Sequence, residues 1–229
     1  MIDIALAFYL VFILPGLQLW RSARPTDGPK RPRALRYLST IREIALLLLV
    51  LAAVCWWGGH APSALGLAAP VSAAARWSLA AAAAVVPVLY FVGKLMEHTM
   101  DPAKRAAAEE QILASDRFPR TPAELRLFVV LSLFVGIGWE LLYRGFLMLA
   151  LAPLIGTWGA VVLAAVAYGA AHGYENPRQL ANSIASALLF TVGYVLTGSL
   201  WWLMLIHIAI PLSIPLYYYK MMRDQKVHP

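Results

Sequence analysis

Four side chains that can carry charge or transfer protons lie inside strongly apolar stretches of this chain. Glu140 and Arg144 are four residues apart, and His172 and His207 lie in later apolar segments. A charged side chain at membrane depth costs roughly 2.5–3.5 kcal/mol on insertion scales, so such residues usually face a partner or a cavity. Glutamate and histidine also serve as general bases and as zinc ligands. The pattern therefore predicts a polar site inside a bilayer.

Two interpretations of the pair Glu140 and Arg144 are open. Glu140 precedes Arg144 by one helical turn, the favourable orientation for an ion pair that only fixes helix packing. The neighbouring residues favour a functional site instead. Tyr168 and His172 share one helix face, and the small residues between them allow another helix to approach closely. A lone histidine at a helix end is more often a packing residue, but His207 lies well inside its apolar segment.

The composition indicates an integral membrane protein. Of 229 residues, 61% are hydrophobic and 14% are charged, and the mean hydropathy is +0.67. A soluble domain of this length cannot bury so much apolar surface. Eight Trp and ten Tyr suit a protein with two water–lipid boundaries. The single cysteine, Cys55, excludes an intrachain disulfide framework.

We expect an all-α, polytopic bundle of transmembrane helices that forms one domain over residues 1–229. A helix that crosses a bilayer needs about 20 apolar residues. The apolar segments predict about seven spans, at residues 4–20, 43–58, 74–93, 126–149, 156–172, 180–197 and 199–219.

The distribution of basic residues predicts the orientation. Residues 21–42 carry seven Lys or Arg against one Asp27, whereas residues 58–75 carry no charged side chain. The tail carries Lys220, Arg223 and Lys226. With seven spans, the positive-inside rule predicts an N-terminus outside and a C-terminus in the cytoplasm. Because the net charge of +7 is concentrated in such short segments, it argues against nucleic acid as a partner.

Residues 94–125 form the only long polar stretch, and we interpret them as a cytoplasmic connector. Asp101 and Pro102 are a helix start signal, and the Ala-rich run to Ser115 favours a helix. A solvated connector is a more ordinary interpretation of this stretch than a regulatory element.

Three motifs in residues 125–215 resemble those of a known enzyme family. They are Glu-Leu-Leu-Tyr-Arg-Gly-Phe-Leu at 140–147, Tyr168-x-x-x-His172, and Thr-Gly-Ser-Leu-Trp at 197–201 followed by His207. In order and spacing they resemble the CAAX-protease and bacteriocin-processing (CPBP, Abi) family of intramembrane endopeptidases, often called metalloproteases. The resemblance implies a multi-pass protein, expected in a bacterial plasma (inner) membrane, that acts on a peptide or protein substrate within or at the bilayer.

The resemblance also implies roles for individual residues. Glu140, His172 and His207 would be catalytic, as groups that bind water or the oxyanion or as ligands of a zinc ion, with Arg144 and Tyr168 in support. Two His and one Glu are a known catalytic zinc set. If Glu140 is a zinc ligand, however, no acid in these motifs remains to act as base.

Two positions depart from the family pattern. The family motif begins with two glutamates, and the first, taken there as the water-activating residue, is Trp139 in this chain. The third motif usually carries Asn or Asp four residues after its histidine, and here that residue is Pro211. Glu140 could replace the lost base, although adjacent helical residues point about 100° apart. Glu175, in a turn after the fifth span, is an outside candidate.

Three functions are therefore open. The first is an intramembrane endopeptidase that hydrolyses a peptide bond of a membrane-associated substrate. The second is a catalytically impaired relative that binds a peptide or partner helix in an immunity or accessory role. A transporter with a polar relay is the third, and the absence of inverted repeats in the sequence counts against it.

Overall fold

The computed structural model describes residues 2–24 and 31–227 of the chain. Asp27 and Lys30, which contribute to the predicted orientation, lie outside these residues, and so do the side chains of Lys220, Arg223 and Lys226. Within the described part the regular structure is entirely helical. The predicted all-α bundle is confirmed.

Eight helices run through the described residues, and each predicted span coincides with helical structure. They are α1 (Ile2–Ser22), α2 (Arg33–Gly58), α3 (Ala73–Thr99), α4 (Pro102–Ala114), α5 (Pro122–Trp139), α6 (Leu147–Ala171), α7 (Pro177–Thr197) and α8 (Trp201–Val227). A π-helical stretch, Tyr9–Ile13, lies inside α1, and a second, Glu140–Phe146, joins α5 to α6. We call the second stretch the π segment.

The helical region Pro122–Ala171 is a hairpin rather than one rod. Gly156 has φ 75° and ψ 160°, a conformation essentially restricted to glycine. A straight helix would separate Arg144 from Tyr168 by about 36 Å at a rise of ~1.5 Å per residue. The guanidinium carbon of Arg144 instead lies 4.1 Å from the centre of the Tyr168 ring. The chain therefore turns back at Gly156, where the sequence predicts the connection between its fourth and fifth spans.

The lengths of the helices suit a membrane protein. Among the described residues, five helical stretches are long and apolar enough to cross a bilayer, and the 50-residue hairpin counts as one of them. Trp201–Ser213 is a shorter apolar helix. Taking the two limbs of the hairpin separately and including α8 recovers the seven predicted segments.

The π segment lies at the centre of the bundle. Tyr143 and Phe146 are buried with Leu10 and Leu14 of α1 and Leu51 of α2. Two glycines of α5 allow neighbouring helices to come close. A Cβ on Gly136 would lie 2.4 Å from Ile208 Cγ1 of α8, and a Cβ on Gly138 would lie 2.3 Å from Ile44 Cγ2 of α2.

Polar contacts join neighbouring loops at each of the two ends of the bundle. At one end, the Tyr174 backbone N–H donates to Ser22 Oγ at 2.8 Å, and Arg36 is paired with Asp116 at 2.8 Å. At the opposite end, the Leu200 backbone N–H donates to the Gly66 carbonyl at 3.0 Å. Successive loops therefore lie at opposite ends of the bundle, as expected when the chain crosses it seven times.

The predicted connector contains the predicted helix. Asp101 Oδ1 accepts hydrogen bonds from the backbone N–H groups of Ala103 at 3.0 Å and Lys104 at 3.3 Å, and so caps α4. After α4, the hydroxyl of Tyr37 on α2 donates to the Arg117 carbonyl at 2.6 Å. The connector is therefore fastened to the first turns of α2.

Candidate functional site

The π segment carries the first two residues of the site. Its wider turn is closed by a hydrogen bond from the Leu147 N–H to the Leu142 carbonyl, five residues earlier. Such turns are rare and are often found at functional sites. Glu140 begins the segment, Arg144 lies within it, and both residues are fully buried.

Glu140 and Arg144 form the ion pair that their spacing predicts. Arg144 Nη1 donates to Glu140 Oε1 at 3.1 Å. The side-chain exposures are 1% for Glu140 and 0% for Arg144, so each charge depends on the other for neutralisation. The pair thus places a neutral but strongly polar group among apolar helices.

His207 of α8 contacts the same carboxylate. Its Nδ1 lies 2.8 Å from Glu140 Oε1, because Gly136 allows α8 to approach α5 one turn before Glu140. An ionised carboxylate only accepts hydrogen bonds, so Nδ1 carries the hydrogen and donates it. In the neutral ring, Nε2 is then the acceptor.

Tyr168 completes a group that we call the polar cluster: Glu140, Arg144, Tyr168 and His207. The Tyr168 hydroxyl lies 3.2 Å from His207 Nε2 and donates to it when the ring is neutral. The Arg144 guanidinium lies over the Tyr168 ring, a cation–π contact. The Tyr143 ring packs beside it with centroids 4.9 Å apart. Tyr168 is only 6% exposed, so its hydroxyl is held in place by packing.

His172 lies at the margin of this group. Its Nδ1 donates to the backbone carbonyl of Tyr168 at 2.9 Å, and its ring meets the edge of the Tyr168 ring with centroids 4.6 Å apart. The residue is exposed and follows the last turn of α6. Its hydrogen bond and its ring contact with the polar cluster are both made to Tyr168.

Part of the hydrogen-bonding capacity of the cluster is unused. Within the described residues, Glu140 Oε2 and the Nε and Nη2 atoms of Arg144 are enclosed and have no hydrogen-bond partner. Buried polar atoms of this kind are normally satisfied by ordered water. The cluster therefore keeps three buried polar atoms that can still make a hydrogen bond.

The arrangement does not fit the predicted zinc set. No group of three His, Cys, Asp or Glu side chains among the described residues is placed to hold a metal ion. Glu140 Oε1 and His207 Nδ1 are hydrogen-bonded to each other rather than directed to a shared point, and the Arg144 cation contacts the same oxygen. His172 directs its Nδ1 to a backbone carbonyl. Whether the protein takes up zinc stays a prediction.

The other sequence candidates lie around the cluster. Trp139 is partly buried and packs on Tyr143 with ring centroids 5.9 Å apart. Pro211 lies inside α8. Glu175 is paired with Arg117 at the bundle end, and its side chain is 53% exposed, so it lies outside the polar cluster.

Tyr143 is a structural residue that the sequence analysis missed. It is fully buried, and its hydroxyl donates to the Leu10 carbonyl of α1 at 3.1 Å. The signal was available, because a tyrosine inside an apolar span needs a partner for its hydroxyl. The partner, 133 residues away in sequence, was not predictable from local spacing.

Comparison with protein families locates the resemblance in the second half of the chain. Residues 121–212 match the family described as type II CAAX prenyl endopeptidase Rce1-like. The resemblance to the CAAX-protease family is confirmed. The Rce1-like segment includes the hairpin, α7 and the first turns of α8, and hence the whole polar cluster and His172. No curated protein and no solved structure matches the chain.

Proposed function

We propose that this protein is an intramembrane endopeptidase that hydrolyses a peptide bond in a membrane-associated protein or peptide. The observation that carries the proposal is the hydrogen bond, 2.8 Å long, between the buried Glu140 Oε1 and His207 Nδ1, whose side chain is 18% exposed. The Rce1-like match over the same residues supports it. The lipid bilayer and a peptide substrate are the expected partners, and a bacterial plasma membrane is the expected location.

In this proposal, Glu140 acts through His207. Its Oε1 atom is occupied by Arg144 and His207, and the residue is fully buried, so direct contact with a substrate is blocked. A buried carboxylate that accepts from Nδ1 holds an imidazole in the tautomer whose Nε2 can take a proton, and it stabilises the imidazolium that follows. His207 would then activate the water that attacks the peptide carbonyl. His207 would thus take the role of general base, which Trp139 cannot fill.

A second candidate is a catalytically impaired relative that binds a peptide or partner helix. Two observations favour it. Trp139 and Pro211 are apolar at positions where the family pattern has polar residues. The Tyr168 hydroxyl also occupies His207 Nε2, the atom that would have to receive a proton from water.

Peptide hydrolysis by the purified full-length protein in lipid nanodiscs separates the two candidates. Fluorogenic peptides would be supplied to the native protein, Glu140→Gln, His207→Ala and the matched surface control Glu175→Gln. Loss of a general base costs roughly 10²–10⁴-fold in rate. We expect losses in that range for the first two variants and the native rate for Glu175→Gln.

Inactivity of the native protein would contradict the endopeptidase. If Trp139→Glu then produced hydrolysis, the impaired relative would be the better description, since the acid missing at position 139 would account for the inactivity of the native protein. Equal rates in the native protein and Glu140→Gln would assign the hydrolysis to another site or to a contaminant.

A further inference from the structure

We propose that the Tyr168 hydroxyl is the hydrogen-bond donor for the carbonyl oxygen of the bond that is cut. This inference rests on the proposed endopeptidase function and assigns a residue to the stabilisation of the oxyanion. The contact that carries it is the distance of 3.2 Å between Tyr168 Oη and His207 Nε2. It places an O–H donor directly beside the atom that is proposed to activate water.

Tyr168 has the rigidity that such a donor requires. Donors that are fixed before the reaction stabilise a developing charge without the cost of reorganisation. The Tyr168 ring is held by the guanidinium of Arg144 at 4.1 Å and by the ring of Tyr143, with centroids 4.9 Å apart. Its backbone carbonyl is also bound, by His172 Nδ1 at 2.9 Å. Both ends of the residue are therefore fixed, and only the O–H bond remains free to rotate.

The nearby alternatives are poorer donors. Arg144 is wholly enclosed, so its free N–H groups are out of reach of a substrate. Pro211, one turn after His207 on the same face of α8, has no N–H and no polar side-chain atom. The Nδ1–H of His207 is given to Glu140. Glu140 and Arg144 are wholly enclosed, whereas Tyr168 is 6% exposed and lies beside His207, whose side chain is 18% exposed. Among the described residues of the cluster, Tyr168 is thus the donor best placed for a peptide bound at His207.

One rotation of the hydroxyl connects the resting and reacting arrangements. Without substrate, the O–H group donates to His207 Nε2. When a peptide carbonyl lies beside it, the O–H group turns about its C–O bond and donates to the carbonyl oxygen. His207 Nε2 is then free to accept a hydrogen bond from water.

Hydrolysis then takes place in two steps. A water proton passes to Nε2 while the water oxygen bonds to the carbonyl carbon, and the π electron pair moves to the oxygen that Tyr168 holds. Collapse of this intermediate breaks the C–N bond, and the departing amine takes the proton from Nε2.

The test is Tyr168→Phe, which removes one oxygen atom and keeps the ring that packs on Arg144. Loss of one oxyanion donor costs about 10²–10³-fold in kcat. We expect a fall of that size with KM unchanged. Binding of a peptidyl phosphonate, a tetrahedral analogue, should weaken by a similar factor, while binding of an uncleaved ground-state peptide should stay the same.

Tyr143→Phe is the matched control. Tyr143 is also a buried tyrosine, but its hydroxyl binds the Leu10 carbonyl, away from His207. Its loss should lower the thermal unfolding temperature and leave kcat unchanged. If the native protein hydrolyses peptides and Tyr168→Phe keeps the native kcat and the native phosphonate affinity, the role of Tyr168 is overturned. The proposed endopeptidase function would then still stand. An inactive native protein would overturn both.

Discussion

Arg144 is the residue on which the charge balance of the site depends. Its guanidinium binds Glu140 and lies over the Tyr168 ring, so it contacts two of the three other members of the polar cluster. No part of it is exposed. An isolated carboxylate in such a place would be strongly unfavourable, so the arginine compensates Glu140 where it binds His207.

Substitution of Arg144 tests this role. We expect Arg144→Met to destabilise the protein by about 3–5 kcal/mol, because it leaves a buried carboxylate without its cation. The double variant Glu140→Gln/Arg144→Met should be more stable than Arg144→Met, since the uncompensated charge is gone. Unfolding by SDS titration in detergent measures both values. If the double variant were the less stable one, the arginine would act through packing rather than charge.

Metal removal tests the ligand set suggested by the family resemblance. Glu140 and His207 are hydrogen-bonded to each other, so we expect a strong chelator to leave the rate of peptide hydrolysis unchanged. The rate is measured before and after chelation and again after zinc is added back, beside metal analysis of the purified protein. Loss of activity with recovery on zinc would show that Glu140, His172 and His207 adopt a different arrangement in the working enzyme.

At the scale of elements, the contact between α5 and α8 decides whether the site exists. Gly136 is the point of closest approach, because a Cβ there would also lie 3.0 Å from the backbone N of Ile208. This contact sets the position of His207 relative to Glu140, one turn further along the hairpin. The helix interface therefore determines the geometry of the polar cluster.

Gly136→Ala should separate the two helices. An overpacked interface costs typically about 1–3 kcal/mol, and we expect a stability loss in that range together with lower hydrolytic activity. Gly93→Ala on α3 is the control, since no atom lies within 4 Å of its Cβ position. In a helix, that change should stabilise by roughly 0.5–1 kcal/mol. Similar behaviour of the two variants in unfolding and activity assays would contradict the close-approach argument.

Much of this arrangement could be predicted from the sequence. The seven apolar segments predicted the helices, and the spacing of Glu140 and Arg144 predicted their contact. Each of these follows from the regular rise and turn of an α-helix. The small residues around Gly169 likewise predicted a close helix contact, which the structure shows with Ile184 of α7.

The remainder depended on tertiary contacts. The π segment is not apparent in the residue pattern, because an extra residue in a turn leaves the apolar composition unchanged. The shared face of Tyr168 and His172 was apparent, but not that the Tyr168 hydroxyl binds His207 while its carbonyl binds His172. Those bonds depend on how α8 lies against the hairpin, and sequence spacing does not determine it.

At the scale of the whole molecule, the two ends of the bundle differ in chemistry. The end that includes Arg36, Asp116 and Arg117 is held by ion pairs. The opposite end is held by backbone contacts near Gly66, with Trp201 Nε1 donating to the Ala68 carbonyl at 3.1 Å. The first end carries Arg33, Arg36 and Arg117, whereas the opposite end carries Asp3, His60 and Arg76. An excess of basic side chains at one end is the asymmetry that the positive-inside rule uses to orient a protein.

Cysteine accessibility tests the predicted orientation. Cys55 is the only cysteine, so Cys55→Ser gives a background without thiols. In that background, Ser63→Cys should react with a membrane-impermeant maleimide on intact cells. Lys104→Cys on α4 should react only after the cells are lysed. The reverse pattern would place the end with Arg36 and Asp116 outside.

The hydrogen bond between Glu140 and His207 also has a consequence for biosynthesis. Its two residues are separated by 67 positions in the chain, and Arg144 follows Glu140 by only four. If the chain inserts in the order of its synthesis, Glu140 and Arg144 would enter the bilayer as a pair before α8 is made. The two charges of the nascent chain would then be paired, but the proposed base, His207, would not yet be present. For the proposed endopeptidase, hydrolytic capacity would arise only when α8 is inserted, and unfinished copies of the protein would be unable to cleave neighbouring proteins in the membrane.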